Sequence, residues 1–308
     1  MARHMRKLTS RWRLAVVVVA VATSLGFTAV WTNALGAADR FDRLLARIDL
    51  ILDPPPDRPT LPTVVMTPGA RPLALGTPRP TIEARVGPVA GIALATPDPT
   101  PTPARVRAPV DVSIVSNPER FFASQLTNEW CAVAATQMVL AIHGLGDTSA
   151  AFQEELASRI GEWESWEDSH DGGWGPAAIA QALAAYGATG YEIRAYAARE
   201  DALRDAAVAL SDTGRPVVLL PWWGAHTWVM TGYRADADPL VFADATITGL
   251  YILDAWYPRV SNIWGPSDPP GNFEDAAEME RNYIPWSRPE GAYPGRDGMF
   301  IAVVPTTP

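Results

Sequence analysis

Cys131 is the only cysteine in a chain of 308 residues, and it stands at a junction. Before it, "SQLTNEW" brings a glutamine, a polar turn and a tryptophan; after it runs the Ala-rich apolar stretch "AVAATQMVL". The spacing predicts a helix that begins at the cysteine. Free backbone N–H groups and the helix dipole favour an anion there, so a thiol at that point is drawn toward thiolate. The same position also suits a small buried hydrophobe, the usual fate of a free cysteine. Gln125 lies six positions upstream across the turn, where a side-chain amide can join the Cys131 N–H in an oxyanion hole.

A nucleophilic thiol needs a base and a group that orients the base. The chain has four histidines. His4 lies in the basic N-terminal tail. His143 ends the predicted helix, where a cation suits the dipole and a structural role is expected. His170 lies in the acidic, Gly-rich loop "EDSHDGGWG" and is expected on a solvated rim. His226 opens a strand after a sharp turn in "WWGAHTWVMTGY", a place from which an imidazole projects into a cleft. Asp254 ends the apolar run "LYILDAWYP". A carboxylate there is costly to bury unpaired, and the His226 ring N–H is its natural partner. Asp244 is the next candidate for that part.

Taken together, Gln-x5-Cys at a helix start, Gly-x-His leading an apolar strand with Gly-Tyr at its end, and Leu-Asp-x-Trp/Tyr resemble the papain-like cysteine peptidases. Within that group they look most like the bacteriocin-processing (double-glycine leader) peptidases and their stand-alone peptidase-like relatives. The resemblance covers roughly 125–257 and extends toward residue 304. It implies Cys131 as nucleophile, His226 as general base and acid, Asp254 as orienter and Gln125 as oxyanion donor, with a peptide or protein as substrate. Ala132 stands where the family often has glycine, and "GEWESWEDSHDGGWG" is an unusual Trp- and acid-rich stretch. No transporter or ATPase segment follows, so the chemistry transfers better than the substrate does.

The elements that must position these residues alternate in type. Periodicity and stop signals predict helices over 131–143, 149–160, 176–186 and 200–210. Strands are predicted over 216–221, 227–233, 250–255 and 299–304. Helices first and strands later describe an α+β fold, a helical N-terminal part packed on an antiparallel sheet. Ten tryptophans fall in this region: Trp130, Trp163, Trp166, Trp174, Trp222, Trp223, Trp228, Trp256, Trp264 and Trp286. Most are expected to pack the core, and those flanking the catalytic candidates could wall a cleft.

Two segments precede that region. Five basic residues (Arg3, Arg6, Lys7, Arg11, Arg13) lead into the uncharged stretch from Leu14 to Trp31. Its 18 residues can just span a hydrocarbon core and exceed the usual signal-peptide core of roughly 7–15 residues. Residues 1–38 are therefore expected to be a cytoplasmic tail and signal-anchor, placing the rest outside the cell membrane; the alternative is a secreted protein cleaved at "ALGAA", Ala34 to Ala38. Residues 39–109 read as a short amphipathic helix, Phe41 to Leu52, and a linker that holds 15 of the 29 prolines and is expected to make no core contacts. Residues 110–308 are the expected catalytic domain.

Charge changes sign between the parts. Residues 1–109 hold 14 Lys+Arg and 7 Asp+Glu, a net of +7, while residues 110–308 hold 11 and 27, a net of −16. Such an acidic domain disfavours nucleic acid as a partner. The acidic run Glu162 to Asp171 matches no calcium-loop pattern and is expected to be a solvated loop. No His-x-x-x-His or Cys-x-x-Cys pair occurs, so metal catalysis is disfavoured, and no cofactor is implied. Besides a peptidase, the constellation leaves open a cell-wall amidase or transpeptidase, or a non-catalytic surface module that binds through the aromatic cleft.

Overall fold

The computed structural model describes residues 60–67, 106–170, 173–289 and 291–308, with single residues at 28, 45, 48, 52 and 58. Apart from Thr28, the apolar segment 14–31 falls outside the described residues, as do the helix expected over 41–52 apart from Leu45, Ile48 and Leu52, and most of the Pro-rich stretch. Among the described residues, no helix is long and apolar enough to cross a membrane.

The fold is mixed α+β. A central sheet runs β1 (Thr63–Val65), β3 (Tyr191–Tyr196), β10 (Phe300–Pro305), β4 (Val217–Leu219), β5 (Trp228–Ala235), β6 (Ile247–Asp254) and β9 (Asn272–Asp275). Strand β2 (Val110–Ser113) pairs with the far half of β5, beyond the stretch that β4 covers. All these pairings are antiparallel except β1 with β3, which is parallel. A small hairpin of β7 (Val260–Ser261) and β8 (Gly265–Pro266) stands apart.

Alternation along the strands explains why both faces of the sheet are covered. On β10, Ile301 and Val303 face one apolar cluster, while Phe300, Ala302 and Val304 face the other. The first cluster receives α1 (Cys131–Ile142), α2 (Ala150–Ser158), α3 (Ile160–Trp163) and α4 (Pro176–Ala185). The second receives α5 (Arg199–Thr213) and α6 (Ala276–Asn282). Residues Ala132 to Ala141 of α1 are all buried, so this helix is enclosed on every side rather than amphipathic.

The order of elements differs from helices first and strands later. Strand β3 falls between α4 and α5, and its alternating "YEIRAY" carries the period-2 signal. The Pro-rich segment also departs from expectation, because it does make core contacts. Its β1 continues the sheet edge, Leu61 packs on the first cluster, and Thr63 Oγ1 accepts from Arg296 Nε at 3.0 Å. Three β-prone residues, Thr-Val-Val, interrupt the prolines there and free their N–H groups for a ladder.

Candidate active site

Helix α1 begins at Cys131, and its N-cap Trp130 gives no side-chain capping bond. The first-turn N–H groups of a helix have no intrahelical partner, so they are available to an anion at Cys131. The thiol is half-buried, and Sγ lies 4.0 Å from the Ala225 carbonyl oxygen. Burial of α1 on all sides fixes where this helix start points. Gln153 on α2 fixes the approach to it: its amide donates to Ser124 O at 3.1 Å and to Gln137 Oε1 at 2.8 Å, and accepts from Leu126 N at 2.7 Å.

His226 is delivered by a tight turn. Trp222 and Trp223 both adopt left-handed backbone, with φ of 56° and 60°, and Gly224 follows at 80°. Non-glycine residues reach this region at a cost of about 1–3 kcal/mol each. Gly224 has no alternative, since a Cβ there would lie 2.2 Å from Trp286 Cε3. The turn carries the chain into β5 with the His226 ring buried and stacked on Trp222, centroids 4.2 Å apart and planes 18° apart. Trp222 is held in turn by a 3.2 Å bond from its Nε1 to Asn282 Oδ1 on α6.

Register across β5 and β6 sets Trp228 opposite Asp254 and brings the carboxylate to the histidine. His226 Nε2 is 2.6 Å from Asp254 Oδ1, and that oxygen also accepts from Trp256 N at 2.8 Å. With Nε2 committed to Asp254, Nδ1 is the ring nitrogen left for the thiol. Burial pulls the His226 pKa down, but the charge and hydrogen bond of Asp254, and then the hydrogen bond and charge of Cys131, outweigh it and raise the pKa to about 9. At neutral pH the ring is therefore an imidazolium between a carboxylate and the sulfur.

Gln125 is buried, and its Nε2 donates to Thr127 O at 2.7 Å. An amide nitrogen has two N–H groups, so this bond leaves one unspent. Gln125 Oε1 is buried with no hydrogen-bond partner. Arg259 pins the whole segment: its guanidinium donates to Gln125 O at 2.8 Å, Leu126 O at 3.1 Å, Thr127 O at 3.3 Å and Asn128 Oδ1 at 3.0 Å. No sequence signal marked Arg259 or Asn282 as part of this arrangement, and Trp222 was marked only as a flanking tryptophan that could wall a cleft.

The other candidates lie elsewhere. Asp244 is exposed and ion-paired with Arg107 at 2.9 Å. His143 accepts no cationic role at its helix end: burial first, and then the Arg215 charge, push its pKa down. His170 is not on a solvated rim, because its ring is stacked between Trp166 and Tyr293. The acidic run around it is also not simply solvated. Asp168 is fully buried, caps the start of α4 through Ala177 N and Ala178 N, and pairs with Arg296 at 2.8 Å. Of the ten tryptophans, Trp163, Trp174, Trp222, Trp228 and Trp286 are buried and Trp223 is exposed.

The model of the Peptidase_C39 like family matches residues 121–264, the stretch that holds Gln125, Cys131, His226 and Asp254. This bears out the resemblance to the bacteriocin-processing peptidases and their peptidase-like relatives. The class it defines is a cysteine peptidase. No curated protein matches the sequence. A solved structure described as a double glycine motif protease from an AMS/PCAT transporter in complex with the leader peptide is similar at 18% identity and a TM-score of 0.31, covering 66% of this chain and 96% of that chain.

Proposed function

We propose that the chain hydrolyses peptide bonds outside the cytoplasm, through Cys131 as nucleophile, His226 as general base and acid, Asp254 as orienter and Gln125 as oxyanion donor, on a papain-like framework. The observation that carries this reading is the buried imidazole 2.6 Å from Asp254, one residue on from the Ala225 carbonyl that lies 4.0 Å from the chain's only thiol. The Cys131 thiolate attacks the substrate carbonyl. The oxyanion forms between the Cys131 N–H and the unspent Gln125 N–H. His226 then gives its proton to the departing amine, and water, deprotonated by the neutral imidazole, releases the acyl group. A groove of about 560 Å³ beside Trp223, lined also by Pro285, Trp286, Ser287 and Arg288, offers an aromatic floor for an extended peptide.

Labelling with a thiol-directed epoxide, followed by mass mapping and a peptide-library assay, tests the chemistry. One label per chain at Cys131 and peptide cleavage that Cys131→Ala removes are expected. An unlabelled thiol at neutral pH, or near wild-type cleavage by Cys131→Ala, eliminates the mechanism. The same library extended with peptidoglycan fragments separates peptidase from amidase or transpeptidase.

We further propose that the basic cluster and apolar residues 14–31 anchor the chain in a membrane. Carbonate washing of membranes from cells making the full chain should leave it in the pellet. Its release as a soluble species shortened near residue 38 overturns the anchor in favour of a cleaved signal.

A further inference from the structure

Three carboxylates from three different elements converge near β6: Asp268 in the loop after β8, Glu274 on β9 and Glu278 on α6. One oxygen from each lies within 4.8 Å of the others. Their remaining bonds hold them in this arrangement. The Asn272 amide donates at 3.0 Å to both Asp268 Oδ1 and Glu274 Oε1, and Glu278 Oε2 accepts from Asp275 N in the capping box of α6. Glu274 is fully buried, and its Oε2 has no hydrogen-bond partner. A buried carboxylate oxygen with no partner, on a residue grouped with two more carboxylates, is a costly arrangement for a protein to keep without a use.

We propose that Asp268, Glu274 and Glu278 form a calcium-binding site that fastens the loop after β8, strand β9 and helix α6 to one another. Hard oxygen donors alone, with no nitrogen or sulfur ligand, select this class of ion. Three carboxylates at flexible spacing suit calcium better than magnesium, which demands a near-ideal octahedron. Glu274 closes the inner side, while Asp268 and Glu278 are part-exposed and leave an outer side where water completes the shell. Arg281 is the cation whose charge acts on Asp268. The site adjoins the catalytic frame: Asn272 pairs with Ile252 of β6, two residues before Asp254, and α6 ends at the Asn282 that holds Trp222 against His226.

Calorimetric titration of the chelator-stripped full chain with CaCl2 is the test, with thermal unfolding as a second readout and MgCl2 as a comparison. One saturable calcium per chain is expected, weaker binding of magnesium, and a Tm raised by at least about 5 °C at a hundred-fold excess over Kd. Glu274→Gln should lose both responses, yet unfold in chelator near the wild-type temperature, because a neutral amide of the same shape costs little more to bury there. Glu278→Gln keeps the helix cap and should weaken calcium at least about 10-fold; it decides the matter should Glu274→Gln fail to fold. No saturable heat up to about 10 mM CaCl2, beyond even weak extracellular calcium sites, overturns the proposal and leaves three acids sharing protons. Wild-type calcium binding by both variants places the ion elsewhere and overturns it equally.

Discussion

With its pKa held at about 9, His226 carries its proton throughout the neutral range, and Asp254 is the main source of that rise. Asp254→Asn keeps an acceptor for the ring N–H but removes the negative charge. The His226 pKa should then fall, and since loss of the imidazolium proton sets the basic limb of the pH–rate profile, that limb should move to lower pH. The expected loss in kcat/KM is ~10- to 1,000-fold, or about 1.4–4 kcal/mol. Asp254→Ala should be worse, because the ring loses the oxygen that orients it. Profiles of the two variants that overlay the wild type would remove Asp254 from the mechanism. The residues of this trio were legible because their types are scarce or costly: one cysteine, four histidines, and a carboxylate at the end of an apolar strand. Arg259 was not, and Trp222 was legible only as a neighbour of the site, not as the ring that stacks on His226. Arg259 acts on carbonyls more than 130 positions earlier, and the stacking of Trp222 depends on two left-handed residues that no local pattern announces.

Strand β1 adds a short parallel edge to β3 and brings Leu61 and Thr63 onto the domain. A chain that starts near residue 105 loses these contacts, and a chain that starts near residue 55 keeps them. Roughly three ladder bonds at about 1 kcal/mol each set the expected difference, about 1–4 kcal/mol with the apolar packing. Urea unfolding of the two chains measures it, and equal midpoints would show that β1 contributes nothing. Both chains should cleave peptide, because β1 lies at the opposite edge of the sheet from β6. The four long helices and four strands predicted from periodicity all occur, within a few residues, since each carries an apolar face or run at a regular period. Strand β3 had no prediction although its alternation carries the signal; the other strands without one are short. β1, β2 and β9 have three or four residues each, too few for a period to register, and their strand state comes from the neighbour they pair with.

For the molecule as a whole, the sheet accounts for the mixed fold, and its two covered faces account for the nearly continuous burial of β4, β5 and β10. An acidic domain behind a basic N-terminus was visible in the composition, whereas the attachment between them was not. Thr63–Val65 is stitched to β3 and Val110–Ser113 to β5, so the sequence on both sides of the Pro-rich stretch is held on the domain. For an anchor at 14–31, only residues 32–57 remain as tether. Fully stretched, that tether spans about 90 Å, against about 270 Å for a free chain running to residue 109. The catalytic cleft would thus patrol a shallow layer next to the bilayer, and substrates projecting from the same surface would meet it far more often than those free in solution.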